Sequence, residues 1–160
     1  MTRIKGASIW VTATLFAGLG CAPIPSKPAA TPQQLAYLAS IGQEPLEFEV
    51  TKDKAAEIWG RAQSFIGQYS SMKIQVATEF VLQTFNPISG QNVYTTTYGY
   101  SVTKTPLAET VRISVECSHG GFVNMFHSDK EDAALALQNA HILTHYLRTA
   151  ELPYPGLISR

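Results

Sequence analysis

Apolar residues recur along this chain with two different periods, and the order of those periods limits the folds that it can adopt. In segments 46–50 and 111–117 they alternate with polar residues, which is typical of half-buried strands. In segments 53–69 and 129–151 they recur at steps of three and four, which is typical of helices that bury one face. The pattern therefore predicts strands and helices that share one core.

The middle of the chain is predicted to supply most of a sheet. Between Met72 and Gln83, one parity is shared by five apolar residues, so this stretch is predicted to be a single strand; they are Met72, Ile74, Val76, Phe80 and Leu82. Gly120 and Gly121 can supply a tight hairpin after the third strand of this region. The strands predicted for the whole sheet are 46–50, 72–83, 93–104, 111–118 and a short returning strand at 122–126.

The element order predicts the fold class. Ser128 and Glu131 form a capping box at the start of the last helix, and Pro153 follows its end. We expect an α+β domain, β-α-β-β-β-(β)-α, with an antiparallel sheet of four to five strands and two helices packed on one face. This order resembles the TATA-binding-protein-like and helix-grip arrangements of some small bacterial envelope lipoproteins. Such folds support many activities, so the resemblance implies no particular one.

The first twenty residues have the anatomy of an export signal. Arg3 and Lys5 precede an uncharged apolar run, 7–19, which ends in small residues before Cys21. The run is shorter than the roughly 20 apolar residues that a membrane-spanning helix needs. Residues 1–20 are therefore predicted to be a signal peptide that is removed.

The residues around the cleavage point resemble the lipobox of bacterial lipoprotein precursors. They read Gly18-Leu19-Gly20-Cys21, where Gly18 departs from the leucine that is usual at its position. The resemblance implies an acylated Cys21 that anchors the protein to a membrane. Because Ala22 is not aspartate, it also implies the outer membrane, facing the periplasm. The alternative is ordinary secretory cleavage just after Ala22.

The segment after Cys21 is predicted to be a linker. Prolines in 22–32 favour an extended, semi-rigid spacer. A short helix is predicted to begin with Thr31 as N-cap and Pro32 at its first position, and to end before Gly42. We therefore divide the mature chain into a lipid-anchored, proline-rich linker at 21–44 and a single α+β domain at 45–160.

Charge and motif content exclude several classes of function. Removal of Arg3 and Lys5 changes a neutral chain into a slightly acidic one without a basic stripe, so nucleic acid is not an expected partner. No phosphate-binding glycine loop or dinucleotide fingerprint occurs, so no cofactor is expected. With Cys21 acylated, Cys117 has no cysteine to pair with in the same chain.

Two groups of residues suggest chemistry without a complete motif for it. His141 and His145 have the spacing of two metal ligands on one helix, but the glutamate of the helical zinc-protease motif is absent, so no metal site is predicted. Cys117 and His119 share a strand face, where a free cysteine is expected to be a small buried hydrophobe. We predict that the protein is not an enzyme, and a metal- or thiol-dependent enzyme is our third interpretation.

Two sets of residues are candidates for a binding surface. Tyrosines that share one parity of the second long strand would form an open sheet face, unless they face the helices. A second stripe lies opposite the main apolar face of the last helix, unless the tail 152–158 folds back over it. These sets are Tyr94, Tyr98 and Tyr100 on the strand, and Leu135, Ile142 and Tyr146 on the helix.

The predicted function follows from the anchor and these surfaces. We expect a lipid-anchored, non-enzymatic binding or scaffold component of the cell envelope, with an envelope protein as partner. The alternative is a periplasmic binder of a small hydrophobic ligand, held in a groove between the helices and the sheet. Exposed apolar side chains would favour the first, and an enclosed apolar cavity the second.

Overall fold

The described part of the chain is an α+β domain with a five-stranded antiparallel sheet and three α-helices, which confirms the predicted fold class. The structure, a computed structural model, describes residues 29–87, 96–120 and 129–159. Its elements are α1 (Pro32–Ile41), β1 (Glu47–Thr51), α2 (Lys52–Tyr69), β2 (Ile74–Ala77), β3 (Val81–Thr84), β4 (Thr97–Pro106), β5 (Thr110–Gly120), α3 (Asp129–Thr149) and a short 3-10 turn (Pro155–Leu157).

The strands lie in the order β1-β5-β4-β3-β2, so the two longest strands are interior and the short β1 and β2 form the edges. Tyr100 of β4 is paired with Cys117 of β5, and Ile113 of β5 with Phe48 of β1. Short edge strands limit unwanted pairing with other chains.

The prediction of one strand over 72–83 is wrong, because the chain reverses at Thr78 to form the β2–β3 hairpin. The Thr78 amide donates to the Val81 carbonyl at 2.9 Å. Its hydroxyl accepts hydrogen bonds from the amides of Phe80 (3.2 Å) and Val81 (2.9 Å). This side chain therefore builds the turn, while the parity of apolar residues continues through it.

Helices α2 and α3 cover one face of the sheet. The Phe65 ring of α2 lies 5.9 Å from the Tyr100 ring and 5.6 Å from the Tyr146 ring of α3. We call the opposite side the open face; it is polar, with Ser114 donating to Glu47 at 2.9 Å. Strand alternation thus separates an apolar inner face from a hydrophilic outer one.

The predicted short helix is confirmed as α1. The Thr31 hydroxyl accepts from the Gln34 amide, the Gln34 side chain accepts from the Thr31 amide, and Gly42 is the C-cap. The helix lies within the segment assigned to the linker, yet its Ile41 is buried in the same core as α2 and α3.

Helix α3 confirms the predicted last helix and ends at Thr149, just before Ala150, which has a φ of 65°. The predicted strand 122–126, Gly121 and the Ser128 cap lie outside the described residues. Beyond Ala150 the tail returns along α3, and Leu157 and Ile158 join the core. Within 29–87, 96–120 and 129–159, no helix combines the length and apolar character that crossing a membrane requires.

Candidate functional site

The tyrosines expected on an open face are core residues. Tyr98 and Tyr100 are buried and point toward the helices, and Tyr94 lies outside the described residues. Burial raises the pKa of the Tyr98 phenol to about 12, with the nearby Asp132 carboxylate adding to the effect. The alternative arrangement, in which the tyrosines face the helices, is therefore found for these two, and they form no open surface.

The stripe Leu135, Ile142 and Tyr146 is not an open surface either. Ile142 is fully buried, whereas Leu135 and Tyr146 are half-buried. The fully buried Asn139 lies on the same stripe, where its amide donates to the Ser159 carbonyl at 2.9 Å and accepts the Ser159 amide at 3.0 Å. Sheet contacts and the returning tail occupy this side of the helix.

The thiol of Cys117 is not activated. Its burial raises its pKa from 9.0 to about 12, although a hydrogen bond from Asn139 acts in the opposite direction. A nucleophilic thiol needs a lowered pKa and access to solvent. His119 points instead toward Asp129, with its Nε2 at 3.9 Å from a carboxylate oxygen.

The two spaced histidines have different surroundings. The Nδ1 of His145 lies 2.8 Å from Glu44 Oε1, so this ring is engaged by the loop after α1. His141 has a buried Nδ1 without a hydrogen-bond partner among the described residues. No group of three or more histidine, cysteine, aspartate or glutamate side chains in the described part of the chain could hold a metal ion.

A cleft does lie between the helices and an edge of the sheet, but it is not hydrophobic. It has a volume of about 280 Å³ and is bordered by β1, α2 and the end of α3. Charged side chains line much of it, namely Glu49, Lys54, Glu57, Arg61 and Arg148. Such a lining does not suit the apolar ligand that we considered as the alternative.

The apolar groove of the described structure lies between α1 and α3, and we call it the α1–α3 groove. Its volume is about 250 Å³. The only polar side chains in its lining are those of Gln138 and His141 among the described residues. It is lined by Leu38, Ile41, Gly42, Ala134, Leu137, Gln138 and His141.

Local interactions fix α1 against α3 and so hold the groove open. Glu44, just after α1, accepts from Arg148 at 3.4 Å as well as pairing with His145. The Tyr37 ring makes edge contacts with the rings of His145 (5.6 Å) and Tyr154 (5.4 Å). Burial, with the charges of nearby glutamates, raises the pKa of Tyr37 to about 12.

Two large apolar side chains are exposed on the helices that border the groove. Leu35 of α1 is 55% exposed and Leu137 of α3 is 51% exposed. Leu137 and Leu38 form an apolar wall of the groove, and Leu35 lies one turn before Leu38 on α1. Such a surface can accept an apolar side chain from another molecule. Sequence analysis did not predict this groove, because apolar periodicity does not show which leucine of a helix remains exposed.

Comparison of the sequence with known protein families finds no matching family, and comparison with curated proteins finds no match. Function is therefore inferred from the α1–α3 groove and from the sequence of the N-terminal region.

Proposed function

We propose that this protein is a lipid-anchored component of the bacterial cell envelope, attached through Cys21, which binds a partner protein without catalysing a reaction. The observation that carries the proposal is the α1–α3 groove, with Leu137 exposed in its lining and Leu35 exposed one turn of α1 before the lining residue Leu38. Apolar side chains on adjacent helices favour docking of a partner's apolar side chains, because their contact removes both surfaces from water.

The size of the groove favours a protein over a free lipid or small molecule. Sites for drug-sized ligands have volumes of about 300–1,000 Å³ and bury most of the ligand. The α1–α3 groove has about 250 Å³ and is open along one side, as the exposure of Leu137 indicates. One or two side chains of a docked helix would fill it.

The position of α1 supports a role close to a membrane. Only the proline-rich segment 22–31 separates this helix from Cys21. An extended proline-rich segment spans about 3.1 Å per residue, so it sets a limited distance between an anchor and the groove. A partner in or near the same membrane would therefore meet the groove at a raised local concentration.

Photocrosslinking in the native host tests the docking. A photoreactive amino acid at Leu137 should give a discrete protein adduct, whereas one at Phe80, which is 45% exposed on the β2–β3 hairpin, should not. Leu35→Glu should abolish the adduct, because it places a charge one turn of α1 before the lining residue Leu38. Ala36→Glu, at an exposed position on the side of α1 opposite Leu38, is the matched control. Equal adducts at both probe positions would contradict docking at the groove.

The anchor is tested separately by mass spectrometry of protein purified from membranes. Acylation at Cys21, and loss of both acylation and membrane retention in Cys21→Ala, is the expected result. An unmodified N-terminus starting near Pro23 would overturn the lipid anchor and leave the docking proposal to the crosslinking result.

A further inference from the structure

The chain leaves the sheet at the end of β3 and passes over the open face. The Thr84 hydroxyl accepts the Tyr100 amide at 2.9 Å, a hydrogen bond that a main-chain carbonyl usually makes in a sheet. The same hydroxyl donates to the Phe85 carbonyl at 3.1 Å. The Phe85 amide still donates to the Lys73 carbonyl at 2.9 Å, so the chain turns away from the strand after Phe85.

Two glycines allow this segment to lie directly on the sheet. A Cβ at Gly99 would lie 2.9 Å from Pro87 Cδ, and a Cβ at Gly120 would lie 2.4 Å from Pro87 Cβ. Both distances are far inside van der Waals contact, so only glycine permits this approach. Tyr98 and Tyr100, which flank Gly99, point toward the helices, so Gly99 faces the other way. Pro87, which lies against Gly99, is therefore on the open face.

Phe85 and Asn86 form one wall of a cleft of about 200 Å³, which we call the open-face cleft. The floor comes from the outward-facing residues of β4 and β5. The side chains that matter for recognition are Gln83, Phe85, Asn86, Ser101, Glu116 and Ser118.

The six side chains just named comprise two amides, two hydroxyls, one carboxylate and one aromatic ring, that of Phe85, which is 47% exposed. No lysine, arginine or histidine lines it among the described residues, which argues against phosphate or another anion. Amides and hydroxyls both donate and accept, and the Glu116 carboxylate accepts only. This set matches a ligand rich in hydroxyl groups, and an exposed ring can pack against the apolar face of a sugar.

We propose that the open-face cleft binds one ring of a neutral, hydroxyl-rich saccharide. Glu116 accepts hydrogen bonds from sugar hydroxyls, Gln83 and Asn86 complete the polar contacts, and Phe85 packs on the ring. Quaternary ammonium ligands are recognised by cages of several aromatic rings, and the described lining supplies one such exposed ring. This site lies on the opposite side of the sheet from α1 and α3, so it does not depend on the proposed docking.

Saturation-transfer NMR and calorimetry on the full chain test the assignment. The probes are glucose, cellotriose and tri-N-acetylchitotriose, with tetramethylammonium and inorganic phosphate as competing chemistries. At least one saccharide should bind, and Phe85→Ala and Glu116→Gln should each weaken it by roughly tenfold or more. Phe80→Ala and Glu109→Gln are matched controls, since both residues are exposed but lie outside the cleft lining, and they should bind as the parent does.

Gly120→Ala tests how the cleft is built, because its methyl group must displace Pro87, which directly follows the lining residues Phe85 and Asn86. Binding should fall in this variant while thermal denaturation shows that the fold persists. Absence of binding by all three saccharides, preference for tetramethylammonium or phosphate, or equal losses in the control variants would each overturn the proposal.

Discussion

Ala150→Gly is expected to stabilise the protein. Ala150 has a φ of 65°, in the left-handed region that favours glycine, and it is the described non-glycine residue with such a value. Its amide donates to the Tyr146 carbonyl at 2.8 Å, which closes the last turn of α3. The chain needs this conformation in order to stop the helix and return the tail along it.

The magnitude follows from two opposing effects. A left-handed conformation costs an L-residue roughly 1–2 kcal/mol relative to its preferred regions, and glycine removes that cost. Glycine also increases the entropy of the unfolded chain, which lowers stability by about 0.4–1 kcal/mol. We therefore expect a net gain of about 0.5–1 kcal/mol in the free energy of unfolding, equivalent to a rise of about 2–4 °C in Tm for a domain of this size.

Urea denaturation followed by circular dichroism measures the effect, and Ala133→Gly provides the control. Ala133 is exposed within α3, where glycine lacks the helix propensity of alanine and should destabilise by about 1 kcal/mol. Alanine-to-glycine substitution should thus raise the free energy of unfolding at position 150 and lower it at position 133. A loss of stability in Ala150→Gly comparable to that in Ala133→Gly would refute the reasoning.

Two further substitutions test how the tail and the thiol are held. Asn139→Ala should lower the free energy of unfolding by about 2–4 kcal/mol, because it removes both hydrogen bonds to Ser159 and leaves a cavity. Ser159→Ala is the control, since it keeps the main-chain groups that Asn139 binds, and it should have little effect in the same urea titration. Because the folded-state pKa of Cys117 is raised to about 12, its stabilising contribution is complete below pH 9.0 and is lost as pH rises toward 12. Cys117→Ala should weaken the decline in stability between about pH 9 and 10, where the thiol is the first of the buried groups to lose its proton in the unfolded chain. The decline that remains in the variant comes from Tyr37 and Tyr98, whose ordinary pKa is 10.0 and is also raised to about 12. An unchanged decline would contradict a buried neutral thiol.

Periodicity predicted the helices and the inner face of β5 because burial on one side leaves a regular trace in sequence. Val111, Ile113 and Val115 are buried as their alternation indicates. Periodicity did not reveal the β2–β3 reversal, because Ile74 and Val76 before Thr78 have the same parity as Phe80 and Leu82 after it. A hydroxyl that forms a turn by bonding two amides is visible only once the chain is folded.

The faces of β4 show why the candidate sites were harder to predict than the elements. Alternation placed Tyr98 and Tyr100 on one side together but could not say which side, because tyrosine suits both a core and a surface. The contact of Phe65 with Tyr100 decides it. The groove was missed for a related reason: each helix had enough apolar residues for more than one buried face, and only packing determined which leucine remained exposed.

The inward orientation of Tyr98 and Tyr100 determines which residue of β4 faces the other side of the sheet. Once Tyr98 and Tyr100 face inward, Gly99 between them must face outward, and a strand with no side chain there lets another segment approach. Pro87 occupies that space above both Gly99 and Gly120, and the preceding residues Phe85 and Asn86 line the open-face cleft. The apolar groove and the polar cleft therefore lie on opposite sides of the sheet, so the two proposed interactions would not compete for one surface.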